Sequence, residues 1–222
     1  MAKNATNKFQ GKIDSYLTCI KEIIANEAVF YPVEKFQERL QEQNPYPHLI
    51  LSSKGYRMCR INKEIKEEYD KNGIKDLARR SEVKALSNEG GTTHFTEETI
   101  HFTDNGNARI NTTFRQAGYT FESKKYEICH IGKETTHSVK TFGAIPNLVY
   151  LPRWIASATD YSDEIIEFLL KKSYSLYSSI MKEYMQDFDV DKFFLLLCNG
   201  NETLLNTIQN DEDVKKYHWK NA

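Results

Sequence analysis

Tyr126-Glu127-Ile128-Cys129-His130-Ile131, followed fourteen residues later by Ile145-Pro146-Asn147-Leu148-Val149-Tyr150-Leu151-Pro152, is the pair of segments on which the fold of this chain turns. Both are short and rich in β-branched and aromatic residues, the composition of strands. The second ends at a proline, which suits the first turn of a helix. Beyond it, Ile165, Ile166, Leu169, Leu170, Tyr174 and Tyr177 recur at helical steps and share one face. The order is strand, loop, strand, helix, with a histidine closing the first strand and an asparagine opening the second.

Working outward, Gly118–Ile131 as a whole reads as β-rich, and a Gly90-Gly91 break precedes it. His94–Phe102 and Arg109–Phe114 surround Asp104-Asn105-Gly106-Asn107, which predicts a hairpin. Nearer the N-terminus, Ile13, Tyr16, Leu17, Ile20, Ile23 and Ile24 predict an amphipathic helix within residues 12–30. Pro32 permits a new start, and a second helix over 33–43 ends at Asn44-Pro45-Tyr46-Pro47. His48–Ser52 and Tyr56–Ile61 flank Lys54-Gly55, a second hairpin signal, and residues 62–87 read as mostly helical and highly charged. After Phe193–Leu197 the tail is polar. The expected fold is α+β in three parts: a mainly helical region with a hairpin at 1–87, a core at 88–184 and a C-terminal helical, polar tail at 185–222.

Composition narrows the function classes. With 40% hydrophobic residues the chain can bury a core, and no apolar run reaches the roughly 20 residues of a membrane span. The N-terminus lacks the apolar centre of a signal peptide, so a cytoplasmic protein with no membrane partner is expected. Cys19, Cys59, Cys129 and Cys198 are scattered, with no CxxC pair, and suggest neither a disulfide framework nor a four-cysteine zinc knuckle. The net charge of −1 hides a gradient: residues 1–87 carry 16 Lys/Arg against 12 Asp/Glu, whereas residues 161–222 carry 7 against 11. The densest basic stretch runs from Lys54 through Arg57, Arg60, Lys63, Lys66, Lys71, Lys75, Arg79 and Arg80 to Lys84, a candidate phosphate-contacting surface to which Arg153 is added. The plain alternative is a solvated helix face offset by Glu64, Glu67, Glu68 and Asp70.

The His-Ile strand end, the Asn-Leu-x-x-Leu strand and the helix after it resemble the HNH, or ββα-metal (His-Me finger), endonucleases. The resemblance runs from Gly118 to about Tyr161, and Phe114–Tyr119 is similar to the helix-then-Gly-Tyr approach that precedes the first strand of such modules. It implies a ββα-metal nuclease core. His130 would be the general base, since a neutral imidazole can take a proton from water at pH 7. Asn147 would brace the loop carrying His130. The family places metal ligands nine or thirteen residues after this asparagine, which here are Ala156, with no donor, and Asp160, with the hard oxygen that Mg²⁺ prefers.

A second family ligand often precedes the histidine, where this chain has Cys129. Thiolate suits Zn²⁺ better than Mg²⁺ or Mn²⁺. Either the metal is soft, or Cys129 is a packed thiol and the second ligand is His137, Glu134 or Glu127. Plain readings stand beside these: Asn147 as a turn former, Asp160 as a helix cap, His94 and His101 as ordinary strand residues, His48 and His218 as surface histidines. The resemblance implies a metal-dependent endonuclease acting on double-stranded DNA, by analogy a site-specific, restriction-type homodimer. The alternative is a non-catalytic nucleic-acid- or protein-binding module on a degraded scaffold, favoured by Ala156 and Cys129 and opposed by Asp160.

Overall fold

The computed structural model describes residues 2–42, 57–60, 82–89, 92–103, 107–119, 125–133, 135–137, 140–210 and 212–220. Side chains are described for 15–41, 110–119, 125–133, 135–136, 140–157, 159–210 and 212–220. The expected hairpin strand His48–Ser52, the Asn44–Pro47 turn and most of the charged stretch, including Lys54, Lys63, Lys66, Arg79 and Arg80, lie outside the described residues.

Helix α1 (Ala2–Glu27) carries the predicted apolar stripe, and α2 (Val33–Glu42) starts directly after Pro32. Between them Val29 forms an antiparallel bridge with Tyr150, exchanging two backbone hydrogen bonds of 2.9 Å. This pairing stops α1 at Glu27, short of the apolar Ala28-Val29-Phe30 that the periodicity had included. Tyr177 then donates to the carbonyl of Tyr31 at 2.7 Å and Phe36 meets Tyr177 edge to face, seating α2 on the long central helix.

Strands β1 (Arg57–Arg60), β2 (Glu82–Glu89) and β3 (Thr92–Thr103) form one sheet in the order β1-β3-β2, β1 parallel to β3 and β2 antiparallel to it. Two expectations are corrected here. Residues 82–87, read as the end of a charged helix, are strand: cross-strand pairing with β3 overrides the local helix preference of Glu, Lys, Ala and Leu. Arg109–Phe114, read as a strand, belongs to α3 (Asn107–Gln116). Ile110 and Phe114 fit both a two-residue and a four-residue period, and both are fully buried, so packing chooses the helix. The antiparallel partner of β3 is therefore β2, with Glu89 opposite Thr92, and not Arg109–Phe114. Gly118, at φ +97°, turns the chain away after α3, a conformation that favours glycine.

Strands β4 (Tyr126–His130) and β5 (Leu148–Pro152) pair antiparallel, with His130 opposite Leu148. The helix expected from Pro152 is broken into α4 (Arg153–Ala156), α5 (Ala158–Tyr161) and α6 (Asp163–Tyr184). Asp160 N–H reaches back only to Ser157 O at 3.0 Å, Thr159 Oγ1 donates to Ala156 O at 2.8 Å, and Ser162 caps the start of α6. Asp160 is thus not the cap. Helices α7 (Val190–Leu197), α8 (Glu202–Ile208) and α9 (Glu212–Lys215) pack on α6. A buried cluster runs from Ile24 through Ile110, Phe114, Leu148 and Leu169 to Val214, and the fold is α+β. Among the described residues no helix is long and apolar enough to cross a membrane.

Candidate functional site

His130 ends β4 with its ring half-buried, stacked on Phe142 at 5.0 Å between centroids. Its Nε2 lies 3.1 Å from the Phe142 carbonyl oxygen. A carbonyl only accepts, so Nε2 is the protonated nitrogen of the neutral ring and Nδ1 holds the lone pair. The strand end places the imidazole, and the Phe142 carbonyl sets its tautomer.

The turn after His130 is tied by Asn147, whose exposure is 0%. Its Oδ1 accepts from Gly132 N–H at 2.9 Å, while Nδ2 donates to Thr135 Oγ1 at 2.9 Å and to Thr141 O at 3.0 Å. Its backbone carbonyl accepts from Ile131 N–H at 2.8 Å. Thr135 donates to Gly132 O at 2.7 Å and Thr141 to Thr135 O at 2.8 Å, closing the network. Such a satisfied polar cluster in a dry setting specifies one loop geometry. Gly132 is also required by space: a Cβ there would lie 2.7 Å from Leu197 O and from Thr135 Cγ2.

His130 opens onto a cleft of about 570 Å³, walled by Glu127, Cys129, Lys133, Arg153, Ala156 and Asp160 among others. Asp160 and Arg153 are exposed, and Arg153 Nε lies 4.0 Å from Glu127 Oε2. Cys129 is buried, its Sγ 3.9 Å from the carbonyls of Glu127 and Ala156. Burial pushes its thiol up to about 12, with the carboxylates of Glu127 and Asp160 adding to the rise and a hydrogen bond to Thr159 opposing it. At neutral pH it is a packed thiol and not a thiolate.

The structure therefore brings His130, Asn147, Cys129, Asp160 and Arg153 together. Ala156, nine residues after Asn147, is buried and offers no donor. His137 falls on the 3₁₀ turn Thr135–His137, and its side chain, like Glu134, lies outside the described residues. Arg57 and Arg60 sit on β1, which runs beside that turn. Among the described residues no three His, Cys, Asp or Glu side chains converge tightly enough to hold an ion by themselves. Sequence reasoning missed Thr135, Thr141 and Lys133. The threonines carry no motif, and only the fold brings them to Asn147. Lys133, three residues after the histidine, lines the cleft while paired with Asp163 at the start of α6.

Comparison with protein-family models, curated proteins and solved structures returns no match to this chain.

Proposed function

We propose that this chain is a metal-dependent DNA endonuclease, with β4, β5 and the helical pieces after them serving as a ββα-metal core of the HNH kind. One observation carries the reading: Asn147 ties the turn that follows His130 by three side-chain hydrogen bonds, and the histidine so held opens onto a polar cleft with Asp160 on its wall. In this reading the neutral imidazole of His130 takes a proton from water as the water oxygen attacks phosphorus, and the bond from phosphorus to a bridging oxygen breaks, the departing oxygen taking a proton from solvent water. Asn147 and the Phe142 carbonyl act by positioning the ring.

The cleft's donors suit Mg²⁺ or Mn²⁺ better than Zn²⁺, since Asp160 and Glu127 are exposed carboxylates whereas the Cys129 thiol is buried, with its Sγ 3.9 Å from the carbonyls of Glu127 and Ala156. Asp160, with Glu127, would hold the ion together with water and substrate oxygens. The bound ion would supply charge stabilisation to the phosphate. Arg153 and Lys133 on the cleft wall, with Arg57 and Arg60 on the adjacent strand β1, would contact the backbone of duplex DNA. Site-specific cutting by a cytoplasmic homodimer extends the same proposal, as does a division into recognition (1–87), core (88–184) and tail (185–222).

Plasmid cleavage with Mg²⁺, with Mn²⁺ and with chelator tests this: metal-dependent nicking or linearisation that chelator stops is the expected result, and inertness under all three conditions rejects it. One observation favours a second reading, a binding module without catalysis. Ala156 fills a ligand position of the resembled family with a buried methyl group. DNA binding without cleavage, at any divalent metal, is the outcome that reading requires.

A further inference from the structure

A second concavity of about 570 Å³ adjoins the cleft, and Arg153 lines both. Its floor is apolar, made by Ile23 of α1 and by Pro152 at the end of β5. Two aromatic rings flank it: Tyr126 at the start of β4 and Trp154 on α4, the latter 66% exposed. An indole this open offers a large apolar face to water, the kind of surface that marks a contact site. Lys125 joins Arg153 in lining the groove, and the backbone N–H of Arg153 donates to Lys125 O at 2.9 Å, holding the two residues' main chains together.

One acid is present. Glu27 on α1 accepts the Tyr126 hydroxyl, and that hydrogen bond, then burial, holds the phenol up at about 12, so the Tyr126 ring stays neutral and fixed. A carboxylate has about four acceptor positions, so Glu27 keeps capacity for the N–H edge of a planar ring. Stacking faces, one hydrogen-bond acceptor for a ring edge and two cations for phosphate are together the recognition chemistry of a nucleotide.

We propose that this groove receives an unpaired nucleobase of the strand being cut, so that the preferred substrate is DNA with a bulged, mismatched or flapped nucleotide beside the scissile phosphate. This rests on the nuclease reading and deepens it. The phosphate 5′ or 3′ to that base lies at Arg153, and the chain continues from there into the cleft of His130. A base held in an intact duplex cannot stack on Trp154, because its faces are covered by its neighbours; an already unpaired one spares the cost of unstacking.

The test uses the full chain carrying His130→Ala, with Mg²⁺, and two fluorescein-labelled duplexes that differ by a single bulged thymidine. Anisotropy titration should show the bulged duplex bound about 5- to 100-fold more tightly than the paired one, the span that one base–aromatic stack supplies. Tryptophan emission should be quenched by the bulged duplex alone. Trp154→Leu should remove both the preference and the quench while leaving affinity for the paired duplex unchanged, and Trp154→Phe should retain part of the preference. Equal affinity for the two duplexes, or a preference that survives Trp154→Leu, overturns the groove's role. If the wild-type chain still cuts plasmid DNA in that case, the nuclease reading stands; a chain that neither binds nor cuts DNA removes both.

Discussion

One wall of the cleft is tied down and the other is open. On the side of His130, Asn147, Thr135 and Thr141 are buried and hydrogen-bonded to one another and to the turn, and Gly132 lets the end of α7 at Leu197 approach closely. On the opposite side, Arg153 and Asp160 ride on two four-residue helices with their side chains in solvent. The difference follows the tasks proposed for each. Proton transfer needs an imidazole fixed within hydrogen-bond reach, whereas a metal-holding carboxylate and DNA-contacting groups must stay hydrated and adjust to what arrives. Substitutions on the tied wall should therefore cost stability or rate constant, and substitutions on the open wall should cost affinity.

The largest effect is expected at His130 itself. His130→Ala should lower single-turnover cleavage by about 10²–10⁴ while its thermal melt stays near wild type. Cutting at wild-type speed would take His130 out of the chemistry and with it the HNH-like assignment of the core. On the open wall, Asp160→Ala should raise the Mg²⁺ concentration for half-maximal cleavage by at least about 10-fold, the lower end of what losing even a supporting group around a metal costs. Its melting temperature should not move. If Cys129→Ser produces that shift and Asp160→Ala does not, the two walls have exchanged roles and the ion is a soft one.

Asn147→Ala is the contrasting case. It strips partners from the buried Gly132 N–H and Thr141 carbonyl, which should cost about 2–3 kcal/mol and lower the melting temperature by about 5–10 °C. Calorimetry checks the first effect, and loss of cleavage below that melting range checks the second. A fully stable Asn147→Ala would mean that the turn is held by its threonines alone.

The smallest effect belongs to Cys129. Its thiol is raised in the folded chain from an ordinary 9.0 to about 12, so the protonated form contributes stability in full below pH 9. That contribution is lost as pH climbs from about 9 to about 12, where the unfolded chain ionises first. Urea titrations at successive pH values should show this decline, and Cys129→Ser should make it shallower while leaving cleavage at pH 7 nearly unchanged. Alkylation of Cys129 at pH 8 should be far slower than that of the exposed Cys19.

Much of this arrangement was legible beforehand. The two strands around His130 and Asn147, both N-terminal helices and the apolar face of α6 all announce themselves by period and by bounding prolines. Ile110 and Phe114 did not, because four-residue spacing satisfies both periods and only their burial, Phe114 against Tyr31 and Tyr150, separates them. The strand at Glu82–Glu89 was hidden by helix-favouring residues. The break between Ala156 and Asp163 was hidden too: Thr159 and Ser162 give no sign in sequence that they will bond to the backbone instead of extending one helix.

By itself the sequence determined that His130 closes one strand and that Asn147 immediately precedes the next, because strand period and strand ends are local properties. It also determined that Asp160 follows Asn147 at a fixed separation. Only the tertiary structure decided which nitrogen of His130 holds the proton, that Cys129 is too deeply buried to ionise, and that Arg153 stands between a polar cleft and an aromatic groove. Each of these depends on neighbours far away along the chain: Phe142 for the imidazole, Thr159 and Asp160 around the thiol, α1 beneath the groove. Desolvation and hydrogen-bond geometry are sums over such neighbours, and no local pattern of residues encodes them.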